Sequence, residues 1–256
     1  MSTALIGHTG FVGGALRRAA VYDAFYNSLN IEDIRGRDFH RVVCAGVSAV
    51  KWWANLHPDQ DFAAIERLID CLSDVRCERF VLISTIDVYA DPRGWTEADD
   101  PQSPDQHAYG RHRHHLEQVV RRQFGERAVI VRLPGLFGQG LKKNVLFDLL
   151  NGKQLEAINP DSSFQWYPVE RLHADLALID RSGLPLLNLV TEPVLTGDIQ
   201  RRFFADRVIG GKVSPAASYD NRTLYPGLFG AHRTYHMDQE QVMTALSDFV
   251  KAGHGR

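Results

Sequence analysis

Short apolar runs alternating with stretches of helical periodicity organise this chain. Ala4-Leu5-Ile6 runs straight into a glycine-rich turn, after which Phe11, Val12, Ala15, Leu16 and Ala19 recur at the spacing of one apolar helix face. The pattern predicts strand, turn and helix in succession. Further short apolar or β-branched stretches at 24–27, 41–45, 79–84, 128–133 and 185–190 predict strands, with helical patterns at 62–72 and 108–124 between them. Strands alternating with helices build a parallel sheet wound on both faces, an α/β fold. Only 28–40 separates the second strand from the third, so a helix there is reduced to a turn or two.

Beyond Leu133 the pattern loosens. Pro134-Gly135, Gly138, Gly140 and Gly152 interrupt the chain before a helical pattern at 145–150. This division predicts a core over 1–133 and a second part over 134–256, in which core elements at about 166–190 return among the pieces of a small lobe that includes 192–229. At the end, Val242, Leu246, Phe249 and Val250 share one helical face, with Asp238 as the expected cap.

Composition narrows the function classes. With 256 residues, 29 basic and 31 acidic side chains and a formal charge of −2, the chain offers no global electrostatic attraction for nucleic acid. A small-molecule partner is the expectation. No apolar run approaches the roughly 18 residues needed to cross a membrane, and the first strand begins almost at Met1, leaving no room for a signal peptide. Cys44, Cys71 and Cys77 are odd in number and lack metal spacing, which fits free thiols in a reducing compartment; a cytoplasmic location is expected. His112, His114 and His115 lack the i, i+4 pair that would aim them at one metal ion, so no metal is expected.

Gly7, Gly10 and Gly13 follow a G-x-x-G-x-x-G spacing between strand and helix, where the backbone can turn tightly and present amides and a helix N-terminus to a pyrophosphate. Tyr109 and Arg113, four apart on a predicted helix, share a face and can address one ligand. Their bland reading is a solvated basic helix, and Thr85 at a strand end is equally a simple β-former.

Taken in order, the glycine turn, Ser84-Thr85-Ile86-Asp87-Val88-Tyr89 and Tyr109 with its cation at i+4 resemble the extended short-chain dehydrogenase/reductases, the NAD(P)-dependent epimerase/dehydratase and reductase group. Ala45-Gly46-Val47-Ser48-Ala49-Val50-Lys51 with Pro58 is similar to the third-strand region of dTDP-4-dehydrorhamnose reductases, and Arg132-Leu133-Pro134-Gly135-Leu136-Phe137-Gly138 and Gln165-Trp166-Tyr167-Pro168-Val169 resemble segments of the wider group. The resemblance implies a Rossmann-type fold with a small C-terminal substrate lobe. It implies Thr85 as the hydroxyl that holds a substrate carbonyl, Tyr109 as proton donor and Arg113 in the place of a lysine that binds the nicotinamide ribose and tunes the tyrosine. Arginine keeps the charge but cannot relay a proton.

The same resemblance assigns Gly7, Thr9, Gly10, Phe11, Val12, Gly13, Asn27, Ser28, Asp33, Ile34, Ala45, Gly46, Val47, Leu133 and Pro134, with Tyr109 and Arg113, to the dinucleotide. Lys51, Thr85, Gly135 and Asn144 are assigned to the substrate. Asn27-Ser28 stands where an NAD-selective carboxylate would be, so NADP(H) is favoured over NAD(H), with Arg35 and Arg37 as added positive charge. Helices 62–72 and 108–124 occupy the positions that build a homodimer in the resembling group. The function expected is an NAD(P)-dependent reductase or epimerase on a carbonyl of a nucleotide-linked sugar; the alternative is a dinucleotide-binding module without turnover.

Overall fold

In the computed structural model, residues 2–211, 215–231 and 233–253 are described. Strand β1 (Thr3–Ile6) leads into α1 (Phe11–Ala19), β2 (Ala24–Tyr26), a 3-10 turn at Ile31–Ile34, β3 (Asp38–Cys44), α2 (Lys51–Leu56), α3 (Pro58–Leu72), β4 (Arg76–Thr85), α4 (Ala108–Phe124) and β5 (Ala128–Leu133). There follow β6 (Gly135–Phe137), α5 (Val145–Asn151), β7 (Ser163–Phe164), β8 (Trp166–Pro168), α6 (Leu172–Ser182), β9 (Leu186–Asn188), β10 (Val194–Leu195), α7 (Thr196–Phe203) and α8 (Gln239–Lys251).

The chain divides into two compact units, the first comprising residues 1–91, 97–133 and 173–188 and the second 92–96, 134–172 and 189–253 of the described chain. The segment returning to the first unit is thus narrower than 166–190. The expected lobe 192–229 contains 212–214, which lie outside the described residues.

In the first unit six parallel strands run in the order β2-β1-β3-β4-β5-β9. Alternate residues of each strand supply opposite faces, and both faces are apolar: Ile6, Val42, Phe80, Leu82 and Ile130 enter one cluster with Ile65, Leu68, Leu116 and Val120, while Leu5, Val43, Val81 and Val129 are buried facing the other way. Phe80 stacks on Phe124 at 4.2 Å between ring centroids, fixing α4 against β4. The connection from β2 to β3 holds only the 3-10 turn, and β2, which pairs only with β1, lies at one edge of the sheet. Strand order reverses between β1 and β3, the position at which open α/β sheets bind ligands beyond the carboxyl ends of their strands. Cys44, Cys71 and Cys77 are free and buried, and burial pushes the Cys44 thiol up to about 11.

In the second unit β6 pairs in parallel with β8, and β10 pairs antiparallel with β7. The buried Gln165 ties three segments together, donating to the carbonyls of Thr191 and Asn221 and accepting the Asn221 N–H at 2.9 Å. Asp238 caps α8 through a capping box with Gln241, and the helix buries Val242, Met243, Leu246 and Phe249.

Candidate active site

The glycine turn sits at the order reversal. Gly7 adopts φ +82°, and a Cβ there would meet the carbonyl oxygen of Ala45 and come within 2.6 Å of Gly46 Cα. A Cβ on Gly13 would overlap the carbonyl oxygen of Gly7, so the first helical turn packs on the loop without a side chain between them. A Cβ on Gly46 would come within 2.7 Å of Ile6. Helix α1 begins at Gly10 with no side-chain cap and no acidic residue in its first turn, leaving its N-terminal amides and dipole to an anion. Thr9 and Gly10 are exposed, and Phe11 and Val12 are half-buried beside them. This cradle fits a dinucleotide pyrophosphate.

Around the expected adenosine end, several assigned residues serve the fold. Asn27 accepts the Leu29 N–H at 2.8 Å through its side-chain oxygen, and its amide nitrogen lies 3.3 Å from His8 Nε2. Ile34 is wholly buried in the core, so only the exposed Asp33 of that pair faces outward. Arg35 is not the spare positive charge expected from sequence: it pairs with Glu32 at 2.9 Å and Asp70 at 2.6 Å. Arg67 instead reaches Ser28, donating to its carbonyl at 3.4 Å while pairing with Glu32.

At the carboxyl end of β4, strand parity sends Ser84 and Thr85 to opposite faces. Ser84 donates to Glu117 at 2.6 Å, and Glu117 is bound by the buried Arg132, which also donates to Tyr89 at 2.6 Å. Thr85 caps the next turn by accepting the Asp87 N–H at 3.1 Å, and its side chain is among the groups that act on the Tyr109 phenol. Tyr109, 7% exposed, is anchored through its N–H to Asn55 Oδ1 at 2.9 Å. Burial is the largest influence on its phenol and pushes it up to about 12; Arg113, Lys51 and Thr85 pull it down, and Asp87 adds to the rise.

Arg113 departs most from the sequence expectation. Its guanidinium lies 4.0 Å from the centre of the Tyr109 ring, yet its terminal nitrogens donate to both Asp61 oxygens at 2.5 and 2.9 Å, to the Ser48 carbonyl at 2.5 Å and to the Tyr109 carbonyl at 3.3 Å. Four of its five N–H bonds are thereby directed at protein acceptors, so a role in holding the nicotinamide ribose does not follow from this geometry. Lys51, assigned to the substrate, pairs with Asp87 at 2.7 Å within the same unit.

Leu133 ends β5, and both it and Pro134 are buried. Ala45 and Val47, just after β3, are half-buried. Gly135 lies in the second unit, where a Cβ would come within 2.9 Å of the Gln165 carbonyl and 3.1 Å of the Trp166 ring. Asn144 is spent on its own loop: its oxygen accepts the Phe147 N–H at 3.0 Å and its nitrogen donates to the Leu136 carbonyl at 2.9 Å, so it is a helix cap rather than a substrate contact. The three helical histidines have separate surroundings, His112 on Asp61, His115 on Glu66 and His114 lowered chiefly by burial.

Sequence reasoning missed Asp61, Asn55 and His107. His107 caps α4, accepting the Gly110 N–H at 3.0 Å, and its ring lies 6.2 Å from that of Tyr109. Burial first, and Lys51 after it, hold His107 below the usual histidine range. Its place just before the tyrosine helix was the available signal, an N-cap position.

Comparison with known proteins bears on the fold. Residues 38–156 match the profile of the NAD dependent epimerase/dehydratase family. The UDP-N-acetylglucosamine 4-epimerase of Methanobrevibacter ruminantium superposes with a TM-score of 0.77 at 13% identity, covering 98% of this chain and 97% of that one. The UDP-glucose 4-epimerase of Thermotoga maritima gives 0.73 at 12% identity, covering 98% and 99%. A dTDP-4-dehydrorhamnose reductase from Clostridium acetobutylicum gives 0.72 at 16% identity, with the same 98% and 99% coverage. At such identities these structures establish the fold. No curated protein shows a significant sequence match. Over 38–156 the chain is similar to the NAD dependent epimerase/dehydratase family, and its fold is that of these solved epimerases and reductase.

Proposed function

We propose that this NAD-dependent epimerase/dehydratase-type chain is a reductase acting on a carbonyl of a small nucleotide-linked sugar, with epimerisation as the neighbouring chemistry of the same site. The observation that carries the reading is that Thr85 at the end of β4 and the buried Tyr109 on α4 belong to one site, the Thr85 side chain being among the groups that lower the phenol. Thr85 orients the carbonyl oxygen and Tyr109 delivers the proton to it. A phenol near 12 is fully protonated at neutral pH, the state a donor needs in the reducing direction. When bound, the nicotinamide supplies the hydride. The glycine cradle and the open N-terminus of α1 hold the pyrophosphate, and NADP(H) is the favoured cofactor. Helices α3 and α4 form the interface of a homodimer; a solution mass that stays at the single-chain value of 28.8 kDa across working concentrations would remove that part of the proposal.

A second reading, a dinucleotide-binding module without turnover, draws on one observation: the Arg113 guanidinium is taken up by Asp61 and Ser48. Incubation with NADPH or NADH and a panel of nucleotide-linked keto-sugars separates the two. Hydride transfer that falls by roughly 10²- to 10⁴-fold in Tyr109→Phe, with dinucleotide affinity nearly intact, supports the reductase. Tight dinucleotide binding with no transfer to any member of the panel supports the module, and undiminished turnover in Tyr109→Phe removes the proposed proton donor.

A further inference from the structure

A concave surface of the second unit shares no residue with the glycine turn, Thr85 or Tyr109. It is a groove of about 710 Å³ lined by α8, β6 and the end of β8, within the ~300–1,000 Å³ usual for small-molecule sites. The sequence of α8 produces it. Gln241, Ala245, Asp248 and Ala252 recur at spacings of three and four, so they share one helix face, and the two alanines present only methyl groups where larger side chains would close the gap. The floor is apolar: Phe137 meets Phe249 at 5.5 Å between ring centroids, and the buried Pro168 lines the groove with them. The rim is acidic. Asp238 and Glu240 stand at the N-terminal end of α8, Asp248 nearer its C-terminal end and Glu170 in the turn after β8, while Arg171 is the one cationic side chain among the described residues of the lining. Asp238 accepts the Gln241 N–H at 2.8 Å and Glu170 the Gln139 N–H at 2.6 Å, each through a single oxygen. The exposed carboxylates of Glu240 and Asp248 have no side-chain hydrogen bond or ion pair among the described residues.

We propose that this groove binds a linear polyamine, whose ammonium groups pair with the carboxylates of the rim while the methylene segments between them lie on Phe137, Pro168 and Phe249. Charge sets the sign of the occupant: four carboxylates against one guanidinium repel an anion and attract an organic cation. Spacing sets its shape. Asp238 and Asp248 are separated by roughly 15 Å along α8, at 1.5 Å of rise per residue, too far for one compact ion to bridge and within the span of an extended polyamine. The floor sets the chemistry between the charges, because its rings offer no partner to the amide groups that a peptide would bring, and an amide left unpaired against apolar surface is costly. Methylene segments need only contact.

Calorimetric titration of the whole chain with spermine tests the proposal. The expected result is saturable single-site binding that weakens by about tenfold when Glu240→Gln and Asp248→Asn are combined, two exposed ion pairs being removed together. Ala252→Trp fills the groove without changing its charge and is expected to weaken binding by a similar factor. All three positions are exposed, and circular dichroism checks that each variant keeps its fold. Absence of saturable binding by the unaltered protein overturns the proposal. So does an affinity that Ala252→Trp leaves unchanged, which would place spermine on the general surface charge rather than in the groove. A lysine-rich peptide that binds here where spermine does not would give the groove to a protein partner and overturn the polyamine as well. The readout is binding in the second unit alone, so its outcome stands apart from turnover in Tyr109→Phe.

Discussion

Arg113 and Asp61 face each other as a bidentate pair, Nη1 2.5 Å from Oδ2 and Nη2 2.9 Å from Oδ1, with side-chain exposures of 5% and 3%. His112 Nδ1 lies 2.8 Å from the same carboxylate, so one acid on α3 holds two consecutive residues of α4. The pair fixes the register of the two helices at the level of the tyrosine.

Breaking that pair leaves a charge in the interior without a partner. Asp61→Ala is expected to destabilise the protein by about 3–5 kcal/mol, the usual cost of stranding a buried charge, while Asp61→Asn retains part of the hydrogen bonding. Arg113→Lys is also expected to destabilise, by about 1–3 kcal/mol, because an ammonium cannot reach both carboxylate oxygens and the Ser48 carbonyl from one planar fork. Denaturant unfolding checks both. An Arg113→Lys protein as stable as its parent would show that the planar contacts contribute nothing.

The glycine turn gives a graded prediction. Gly13→Ala places a methyl group on the Gly7 carbonyl, and Gly7→Ala adds a collision with Ala45 at a positive φ, so each is expected to cost about 1–3 kcal/mol and to weaken dinucleotide binding at least tenfold. Gly10→Ala meets the Gly7 carbonyl at 3.3 Å and is expected to be milder. Calorimetric titration with NADPH ranks the three. Equal affinities across the series would remove the pyrophosphate from this loop.

The elements legible in the sequence are those whose signals are local. Helix 108–124 and strand 128–133 begin and end where the periodicity places them, and β1 leads through its glycines into α1 as the spacing requires. Helix α3 starts at Pro58, four residues before the apolar pattern at 62, because proline suits a first helical turn. Helices α2 and α7 escaped notice, being six and eight residues long and carrying few buried positions. In the site, Thr85 and Tyr109 follow from motif order, and in the structure Thr85 is among the groups that act on the Tyr109 phenol. The fate of Arg113 was illegible, since its partner Asp61 is 52 residues away on another helix and nothing local marks the pairing. Asn144 misled in the opposite direction: its polar side chain in a glycine-rich loop serves the loop itself.

Acid should loosen the second unit through His236. This side chain is 3% exposed and stacked on Phe229 at 4.0 Å, and burial, with Arg171 adding to it, lowers its pKa to about 3. An unfolded histidine titrates near ~6.5, so between about pH 6.5 and 3 the unfolded chain binds a proton that the folded one refuses. Stability from this residue is complete above 6.5 and declines as pH falls through that window, at up to about 1.4 kcal/mol per pH unit. His236→Phe is expected to flatten the pH dependence of unfolding by up to one proton over this range. Parallel curves for the two proteins would contradict the assignment.

Cofactor choice turns on the end of β2, where Asn27 and Ser28 place no carboxylate to repel a 2′-phosphate. The positive charge first expected from Arg35 is bound by Glu32 and Asp70, and Arg67 is the guanidinium that reaches Ser28. Glu32 lies between these two arginines, which hold it down at about 2, so it remains a carboxylate at every working pH and partly offsets Arg67. A preference for NADPH over NADH is the expected outcome, on the proposal that Asn27 and Ser28 offer uncharged donors and that Arg67 turns from Glu32 to a phosphate, a better bidentate partner. Calorimetric titration of both cofactors is expected to show tighter NADPH binding, and Arg67→Met to remove most of that preference while leaving NADH affinity nearly unchanged. Tighter binding of NADH by the unaltered protein would reverse the choice. A preference for NADPH that survives Arg67→Met would transfer the phosphate contact to the Asn27-Ser28 turn itself.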